Sequence, residues 1–239
     1  MQDALGDRMK GFYEDRYRIK LARRAYTIIR VDGKAFHTYT RGLERPFDKP
    51  LVDDMNETAC YLCKNIMGAK FAYVQSDEIS ILITDFDDLN TEAWFDGNLQ
   101  KMCSVSASMA TSAFNTYRIV RSLVGNAMFD SRVFQIPAKV EVENYFIWRQ
   151  QDATRNSIQS AAQSLYSDKE LQNKNTDQQQ EMMFQKGVNW NDYPIGMKRG
   201  RVIVKEMYQL EGGADRSRWI PIEPPIFTQD RDFLTSKIP

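Results

Sequence analysis

The order of apolar and polar positions along the chain predicts a sheet flanked by helices. Short apolar, β-branched runs predict four strands, at residues 25–31, 70–74, 79–84 and 127–136. Helical spacing predicts two long helices between them, at residues 51–67, where Gly68 is a stop signal, and at residues 89–123. The resulting β-α-β-β-α-β order is the ferredoxin-like arrangement of an α+β protein. Right-handed crossovers then place the first and third strands side by side in the middle of the sheet.

The remaining segments extend this core at both ends. Residues 7–21 have helical spacing, and residues 34–50 are predicted as a loop that begins with a short helical turn. Downstream, we predict a helix at 140–167, a mobile or weakly helical polar insertion at 168–180, strands at 201–209 and 217–222, and an extended tail. We therefore divide the chain into a catalytic domain, residues 1–138, and a helical and β-hairpin region packed on it, residues 139–239.

Composition narrows the class of protein. The chain has 239 residues, of which 42% are hydrophobic, enough for a sizeable core. It contains no run of about 18 apolar residues and no signal-peptide pattern, so we expect a cytoplasmic protein without a membrane span. Basic and acidic residues both total 32. This balance argues against binding nucleic acid by bulk charge alone, although it allows a local basic patch.

Histidine and cysteine chemistry is restricted. His37 is the only histidine in the sequence, which excludes paired-histidine metal motifs. Cys60 and Cys63 form a C-x-x-C, but no second pair exists to complete a zinc site. Because the pair falls on the apolar face of the helix predicted at 51–67, we interpret it as part of the core rather than as a redox or zinc motif.

Acidic residues stand where two apolar strands meet a turn. Asp32 ends the first strand in YTIIRVDGKAFHTY, and Asp77 and Glu78 occupy the tip of the hairpin KFAYVQSDEISILITDF. If the first and third strands are neighbours, Asp32 and Asp77 come within metal-bridging distance. Carboxylates packed together raise one another's pKa, and a divalent cation removes that cost. The competing interpretation is that Ser76, Asp77 and Glu78 merely close the turn.

The elements around Asp32 suit a phosphate-bearing ligand. Hard oxygen ligands favour Mg²⁺, which is usually held by one or two carboxylates plus substrate phosphates. Two such ions about 3.5–4 Å apart can activate a hydroxyl and stabilise a leaving pyrophosphate. Gly33 lets the backbone approach a ligand, and the amides of residues 34–37 open a turn that can bind an anion.

For three side chains near this turn, the sequence allows either a role in phosphate binding or a structural role. Lys49 in PFDKP either reaches a triphosphate as a point charge or is an ordinary surface lysine. Ser76 either donates to a phosphate or closes the hairpin. His37 either contacts phosphate or packs within the protein.

Several motifs together resemble the tRNA(His) guanylyltransferase family, which includes the 3′-to-5′ polymerases. The resemblance rests on RVDGKAFHTYTRG with FDKP, on YVQSDEISILI and on FDSRVFQIP…NYFIWRQQDATRNS, and it runs from about residue 17 to residue 201. GVNWNDYPIGMKRG is similar to the family's stretch before a late strand. The family implies a polymerase- and cyclase-like palm, two Mg²⁺ ions, ATP or GTP, and a homotetramer. Its members are nucleotidyltransferases: a tRNA 5′-monophosphate is activated, and the 3′-hydroxyl of an incoming nucleotide attacks that end.

The resemblance also implies roles for individual residues. Asp32 and Asp77 would bridge the metals, the Gly33 carbonyl would add a ligand, and Glu78 would support the coordination. The nucleotide-binding set that it implies is Asp32, Gly33, Lys34, Ala35, Phe36, His37, Lys49, Ser76, Asp77 and Lys101. Arg149, Asp152 and Asn156 would position RNA, or would equally serve as a structural pairing within their helix.

One departure from the family pattern bears on the substrate. Members that guanylylate tRNA(His) carry H-I-N-N-L-Y-N after W-R-Q-x-D-x, whereas this chain has TRNSIQS at residues 154–160. The departure favours the branch of like-proteins that repairs truncated tRNA 5′ ends according to a template. The alternatives are tRNA(His)-specific G addition, a cyclase or dinucleotide synthase on the same palm, and a catalytically idle RNA-binding protein.

Overall fold

In the computed structural model, which describes residues 3–209 and 213–239, one six-stranded antiparallel sheet organises the chain. The strands are β1 (Tyr26–Gly33), β2 (Ala69–Gln75), β3 (Glu78–Ile83), β4 (Phe129–Ile136), β5 (Arg201–Gln209) and β6 (Asp215–Ile222). The helices are α1 (Ala4–Met9), α2 (Phe36–Tyr39), α3 (Lys49–Asn65), α4 (Leu99–Val120), α5 (Lys139–Gln163), α6 (Asp168–Leu171), α7 (Thr176–Gln185), α8 (Ile195–Arg199) and α9 (Arg231–Thr235).

The strand order confirms the predicted ferredoxin-like palm. The sheet runs β4-β1-β3-β2-β5-β6, so that β1 and β3 are hydrogen-bonded neighbours in its middle. The first four strands with α3 and α4 are the predicted β-α-β-β-α-β unit. β5 pairs with β2, so the C-terminal hairpin extends the same sheet. Most of the hairpin connection, residues 210–212, lies outside the described residues.

Each face of the sheet is covered by helices, which explains the nearly continuous apolar runs of the central strands. Alternate side chains of a strand point to opposite faces. Ile29 of β1 packs with α3 and α4, whereas the adjacent Ile28 packs with α5. Helices α3 and α4 thus form one layer and α5 forms the other, with the sheet between them.

The helix predicted at 89–123 begins ten residues later than expected. α4 starts at Leu99, because the side chain of Asn98 caps it by accepting from the Lys101 amide at 3.1 Å. Just before the cap, Phe95 and Asp96 both have φ of 51°, which breaks the helical path. Among the small residues that follow, Ser106 and Ala110 are buried, and the Ser106 hydroxyl donates to Ser131 of β4.

The segments predicted to be least regular are ordered helices. Residues 168–180 were expected to be mobile or weakly helical, but α6 and α7 each begin with a capping box and bury Leu171 and Met183. The tail, expected to be extended, contains α9 and buries Leu234. At the other end, where a helix is predicted for 7–21, α1 ends at Met9. The chain continues as a π-helical turn, Lys10–Glu14, and a 3₁₀ turn, Asp15–Tyr17. Caps and the burial of Leu171, Met183 and Leu234 account for the order of the first two segments.

Two smaller predictions concern the cysteines of α3 and membrane-spanning segments. Cys60 and Cys63 lie on α3, and Cys63 is buried between α3 and the sheet. Burial raises the pKa of both thiols, that of Cys60 to about 12, which suppresses the reactive thiolate. Across the described ranges, no helix combines the length and apolar character that a membrane crossing needs.

Candidate active site

A row of acidic side chains crosses the end of the sheet. Asp32 near the end of β1 pairs directly with Glu78 of β3 on one side and with Asp130 of β4 on the other. Residues directly opposite on antiparallel strands share a face, with Cβ atoms about 4.5–5.5 Å apart. Like charges placed this way repel, so the row requires compensating cations.

Arginines two residues back along the strands supply part of that compensation. Arg30 and Arg132 are themselves cross-strand partners, one pleat from the acidic row. Arg30 lies 3.8 Å from Asp32 and 3.7 Å from Glu78, and Arg132 lies 3.7 Å from Asp32. These separations are too long for hydrogen bonds, so Asp32 keeps oxygen lone pairs available for another ligand.

Glu78 is bound tightly by α5. Arg149 donates from Nε and Nη2 to the two carboxylate oxygens of Glu78, each at 2.8 Å, and Nη2 also donates to Asp152 at 2.9 Å. Arg149 and Glu78 are both buried, and Ser80 donates to Glu78 at 3.2 Å. Glu78 is therefore a strand-end anchor that fixes α5 to the hairpin tip, and its coordination by metal would compete with Arg149.

Asp77 stands beside Glu78 in a different electrostatic situation. Among the described residues, no lysine or arginine nitrogen lies within 4.0 Å of its carboxylate. Burial raises the pKa of Asp77 to about 6, the nearby Asp32 and Glu78 add to the rise, and a hydrogen bond from Ser76 opposes it. A half-buried carboxylate next to two others is a site at which a cation would be stabilised.

The backbone of Gly33 joins the two strand ends. Its N–H donates to the Asp77 carbonyl at 3.2 Å, which holds the hairpin tip against the residue that follows Asp32. A Cβ on Gly33 would lie 2.7 Å from Asp77 Oδ2 and 2.2 Å from the ring of Phe36. Only glycine allows this approach of the Asp77 carboxylate to the backbone.

The predicted phosphate turn follows immediately. Ala35 adopts a left-handed conformation, with φ of 55°, and caps the short helix α2. Lys34 is exposed, but its amide already donates to the Met128 carbonyl at 2.8 Å, which leaves the amides of Ala35, Phe36 and His37 as the candidate donors. Phe36 itself is buried against Phe114 and Phe129, so its ring anchors the turn, while His37 is exposed.

A cleft of about 670 Å³ opens at this end of the sheet. Its floor is formed by the strand ends, one wall by the start of α3 and the loop before it, and the other wall by α5. Seven of the residues singled out in the sequence line it: Asp32, Ser76, Asp77, Glu78, Arg149, Asp152 and Asn156.

None of the three lysines of the predicted nucleotide-binding set, Lys34, Lys49 and Lys101, lines this cleft, and the remaining residues of the turn, Gly33 and Ala35 to His37, lie outside its lining as well. Lys49 is exposed at the start of α3 and pairs with Asp53 at 2.6 Å. Lys101 lies in the first turn of α4, whose Met102 packs near Thr27 at the opposite end of β1 from Asp32. The prediction that Lys101 lies near the nucleotide does not fit this single-chain geometry, because α4 begins at the far end of the sheet.

Comparison with known proteins decides the family. The family model for tRNA(His) guanylyltransferase matches residues 6–137. A bacterial tRNA(His) guanylyltransferase-like protein solved in complex with ATP is 48% identical, with 99% of both chains covered and a TM-score of 0.90. A structure of such a bacterial protein in complex with GTP is 49% identical over 98% of this chain and 99% of that chain, with a TM-score of 0.85. The tRNA(His) guanylyltransferase of Schizosaccharomyces pombe is 26% identical over 80% of this chain and 78% of its own.

The chain belongs to the tRNA(His) guanylyltransferase family. It is therefore a nucleotidyltransferase on a palm-like fold, as the motifs in its sequence indicate. Structures of its bacterial relatives hold ATP and GTP.

The residues at the strand ends fit the divalent cations that this family implies. Their donors are the carboxylates of Asp32 and Asp77 and the carbonyl of Gly33, which are all hard oxygens. Within the described residues, no three acidic, histidine or cysteine side chains form a metal-holding cluster. The donor set thus suits Mg²⁺ bound by two carboxylates, a carbonyl and substrate phosphates, rather than a cation enclosed by protein alone.

Several charged residues of the site were not found from the sequence. Arg30, Arg132 and Asp130 belong to the cross-strand charge rows, and their signal was the alternation R-V-D in β1 and D-S-R in β4. Once the register is known, this alternation places Arg30 opposite Arg132 and Asp32 opposite Asp130, on one face of the sheet. Arg201 also lines the cleft, and no local pattern marks it, because its position depends on the pairing of β5 with β2.

Proposed function

We propose that this member of the tRNA(His) guanylyltransferase family adds nucleotides to the 5′ end of tRNA in the 3′-to-5′ direction, and that it repairs truncated ends according to a template. The observation that carries the proposal is that Asp77, which has no counter-cation among the described residues, lies near Asp32 in the lining of one cleft. The TRNSIQS segment in place of H-I-N-N-L-Y-N supports the repair branch. The relatives' ATP and GTP complexes support the use of these triphosphates as substrates.

Each element of the site has a part in this reaction. Asp32, Asp77 and the Gly33 carbonyl would hold two Mg²⁺ ions, which would neutralise phosphate charge and lower the pKa of the attacking hydroxyl. Ala35, Phe36 and His37 present amides toward the triphosphate, Lys34 supplies a nearby charge, and Ser76 donates its hydroxyl to a phosphate. Glu78 fixes the hairpin tip through Arg149, so that Asp77 keeps its position.

The tRNA lies along the region after residue 138. Asp152 and Asn156 line the α5 wall of the cleft opposite the carboxylates, and Arg149 orients this wall through its bonds to Glu78 and Asp152. Residues 1–138 thus carry the chemistry, and residues 139–239 contact RNA. A homotetramer and a cytoplasmic location complete the proposal by analogy with the family.

The experiment that tests the function is an addition assay on tRNAs that lack the first 5′ nucleotide and carry a 5′-monophosphate, with Mg²⁺ and each triphosphate in turn. We expect the added nucleotide to change when the opposing base of the tRNA is changed. Addition of G regardless of that base would contradict template-dependent repair and support tRNA(His)-type activity. A cyclic or dinucleotide product formed without RNA would contradict the whole proposal and favour a cyclase-like enzyme.

A further inference from the structure

One arginine of the cleft differs from the others in its partners. Three basic residues line the cleft: Arg30, Arg149 and Arg201. Arg149 is bound to Glu78 and Asp152, and Arg30 lies within 4.0 Å of Asp32 and Glu78. In residues 3–209 and 213–239, no carboxylate lies within that distance of Arg201.

The Arg201 guanidinium is buried with one of its nitrogens unused. The residue is 6% exposed. Nε donates to Asn56 Oδ1 at 2.9 Å and Nη1 donates to the Gly196 carbonyl at 3.1 Å, both neutral acceptors. Nη2 is buried and has no hydrogen-bond partner among the described residues. A buried donor left in this way costs about 1–3 kcal/mol, and more when it is charged.

Burial does not remove the charge. Loss of solvation lowers the pKa of Arg201 to about 10, and the neighbouring Tyr73 and Asp53 oppose the fall. The guanidinium therefore remains protonated at neutral pH, since a pKa near 10 leaves almost no neutral form. The cleft thus has in its lining a desolvated cation with one unused donor, Nη2, which a phosphate oxygen could accept from.

The position of Arg201 separates it from the carboxylates. It begins β5 and pairs with Val74 of β2, at the same end of the sheet as Asp32. The order β1-β3-β2-β5 puts three strand spacings, about 14 Å, between the two backbones. This backbone separation leaves room for Arg201 to contact a phosphate other than the one that a cation on Asp32 and Asp77 would hold.

We propose that Arg201 is a phosphate-binding residue of the cleft, which receives through Nη2 a phosphate of the RNA or of a nucleoside triphosphate bound there. The proposal rests on the proposed function, because it adds a second phosphate position to the same site. The 14 Å spacing favours a phosphate of the tRNA backbone near the 5′ end over the triphosphate. Both sources share one chemistry, and two binding probes distinguish them.

The test compares Arg201→Gln with a matched control, Asn56→Ala. The control removes the main side-chain partner of Arg201 but keeps the cation. Dissociation constants are measured without turnover for GTP and for a 5′-truncated tRNA, the latter at several salt concentrations. We expect Arg201→Gln to weaken binding of one probe about tenfold to a hundredfold, as for a lost hydrogen bond to a charged group, and Asn56→Ala to change it less than about threefold.

The identity of the weakened probe assigns the phosphate. If it is the tRNA, the slope of log K against log salt becomes shallower by about 0.7–0.9, the value of one phosphate contact. If it is GTP, the phosphate belongs to the triphosphate. Wild-type affinity of Arg201→Gln for both probes would overturn the proposal, and so would an equal loss in Asn56→Ala, which would show a structural role only.

A second variant covers the risk that Arg201→Gln does not fold. Arg201→Lys keeps the charge but loses the planar fork, so we expect a smaller loss, about threefold to tenfold, for the same probe. Unchanged affinity in a folded Arg201→Lys, judged by thermal unfolding, would overturn the proposal in that case. Failure of the proposed reaction is distinguishable, since it would show as no nucleotide addition by the wild-type protein while these dissociation constants still differed.

Discussion

Two aspartates of this protein lie wholly or partly out of water, Asp54 buried and Asp77 half-buried, and they differ in what neutralises them. Asp54 on α3 is fully buried, and two arginines of the α4 end bind it: Arg118 at 3.2 Å and Arg121 at 2.6 Å. Asp77 at the hairpin tip has no such cation close to it in the described part of the chain. The chain supplies its own counter-charge in the helix layer and omits it at the cleft.

The difference separates a structural charge from a functional one. A buried ion pair joins two helices here, and removal of one partner leaves an uncompensated charge. A half-buried carboxylate without a counter-cation is destabilising in the free protein, and its charge becomes favourable when a cation binds beside it. Loss of Asp54 should therefore affect stability, and loss of Asp77 should affect catalysis.

The largest expected effect is the loss of catalytic activity in the variant Asp77→Ala. Metal-held charge stabilisation is worth several kcal/mol in a transition state, so we expect nucleotide addition to fall at least about a hundredfold. The measurement is single-turnover 5′ addition with saturating Mg²⁺. Thermal unfolding of the metal-free variant should occur at the same temperature as in the wild type or higher, because a repulsive charge is removed.

The matched control for this variant is Asp130→Ala. Asp130 is an exposed member of the same acidic row, opposite Asp32, but its nearest charge is Arg132 at 3.6 Å. We expect its loss to change addition only a few-fold. Retained activity in Asp77→Ala, or an equal loss in Asp130→Ala, would show that a general acidic field and not a specific metal ligand is at work.

The second effect is on stability, through Asp54→Ala. Removing one partner of a buried charge cluster costs about 3–5 kcal/mol, because Arg118 is left buried and unpaired. Asp53→Ala is the neighbouring control, since it breaks only the exposed pair with Lys49, worth at most about 1 kcal/mol. Urea unfolding of both variants checks the contrast, and similar free energies of unfolding would contradict it.

The comparison also explains how far the sequence could predict this molecule. The β-α-β-β-α-β order was predictable, because strands buried on both faces read as continuous apolar runs. Asp32 and Asp77 come to one cleft because that order makes β1 and β3 neighbours, and their register sets Asp32 opposite Glu78, next to Asp77. The start of α4 was placed ten residues early, since the Asn98 cap and the two left-handed residues before it outweigh apolar spacing.

The sequence does not predict where Arg201 and Lys101 lie in the fold. Arg201 lines the cleft only because β5 joins β2, more than a hundred residues away in the chain. Lys101 follows the strand hairpin closely in sequence, but its helix begins at the opposite end of the sheet. Proximity along the chain was a poor guide in both cases, whereas strand register was a good one.

The smallest expected effect is the pH dependence of stability that Asp77 confers. Folding raises the pKa of Asp77 from 3.8 to about 6, so the folded state favours the protonated form. The resulting stabilisation is complete below about pH 4 and is lost as pH rises through about 6. In the presence of a chelator, Asp77→Asn should therefore match the wild type near pH 4 and exceed it near pH 7, by at most about 3 kcal/mol.

Adding Mg²⁺ sharpens this last test. The cation should raise the melting temperature of the wild type at pH 7 and close the gap to Asp77→Asn, because it compensates the buried charge that the variant lacks. Asp53→Asn should show neither effect, since Asp53 already pairs with Lys49. A gap between wild type and Asp77→Asn that is flat from pH 4 to pH 7 in chelator would mean that Asp77 is compensated within the chain, and the distinction between Asp54 and Asp77 would then fail.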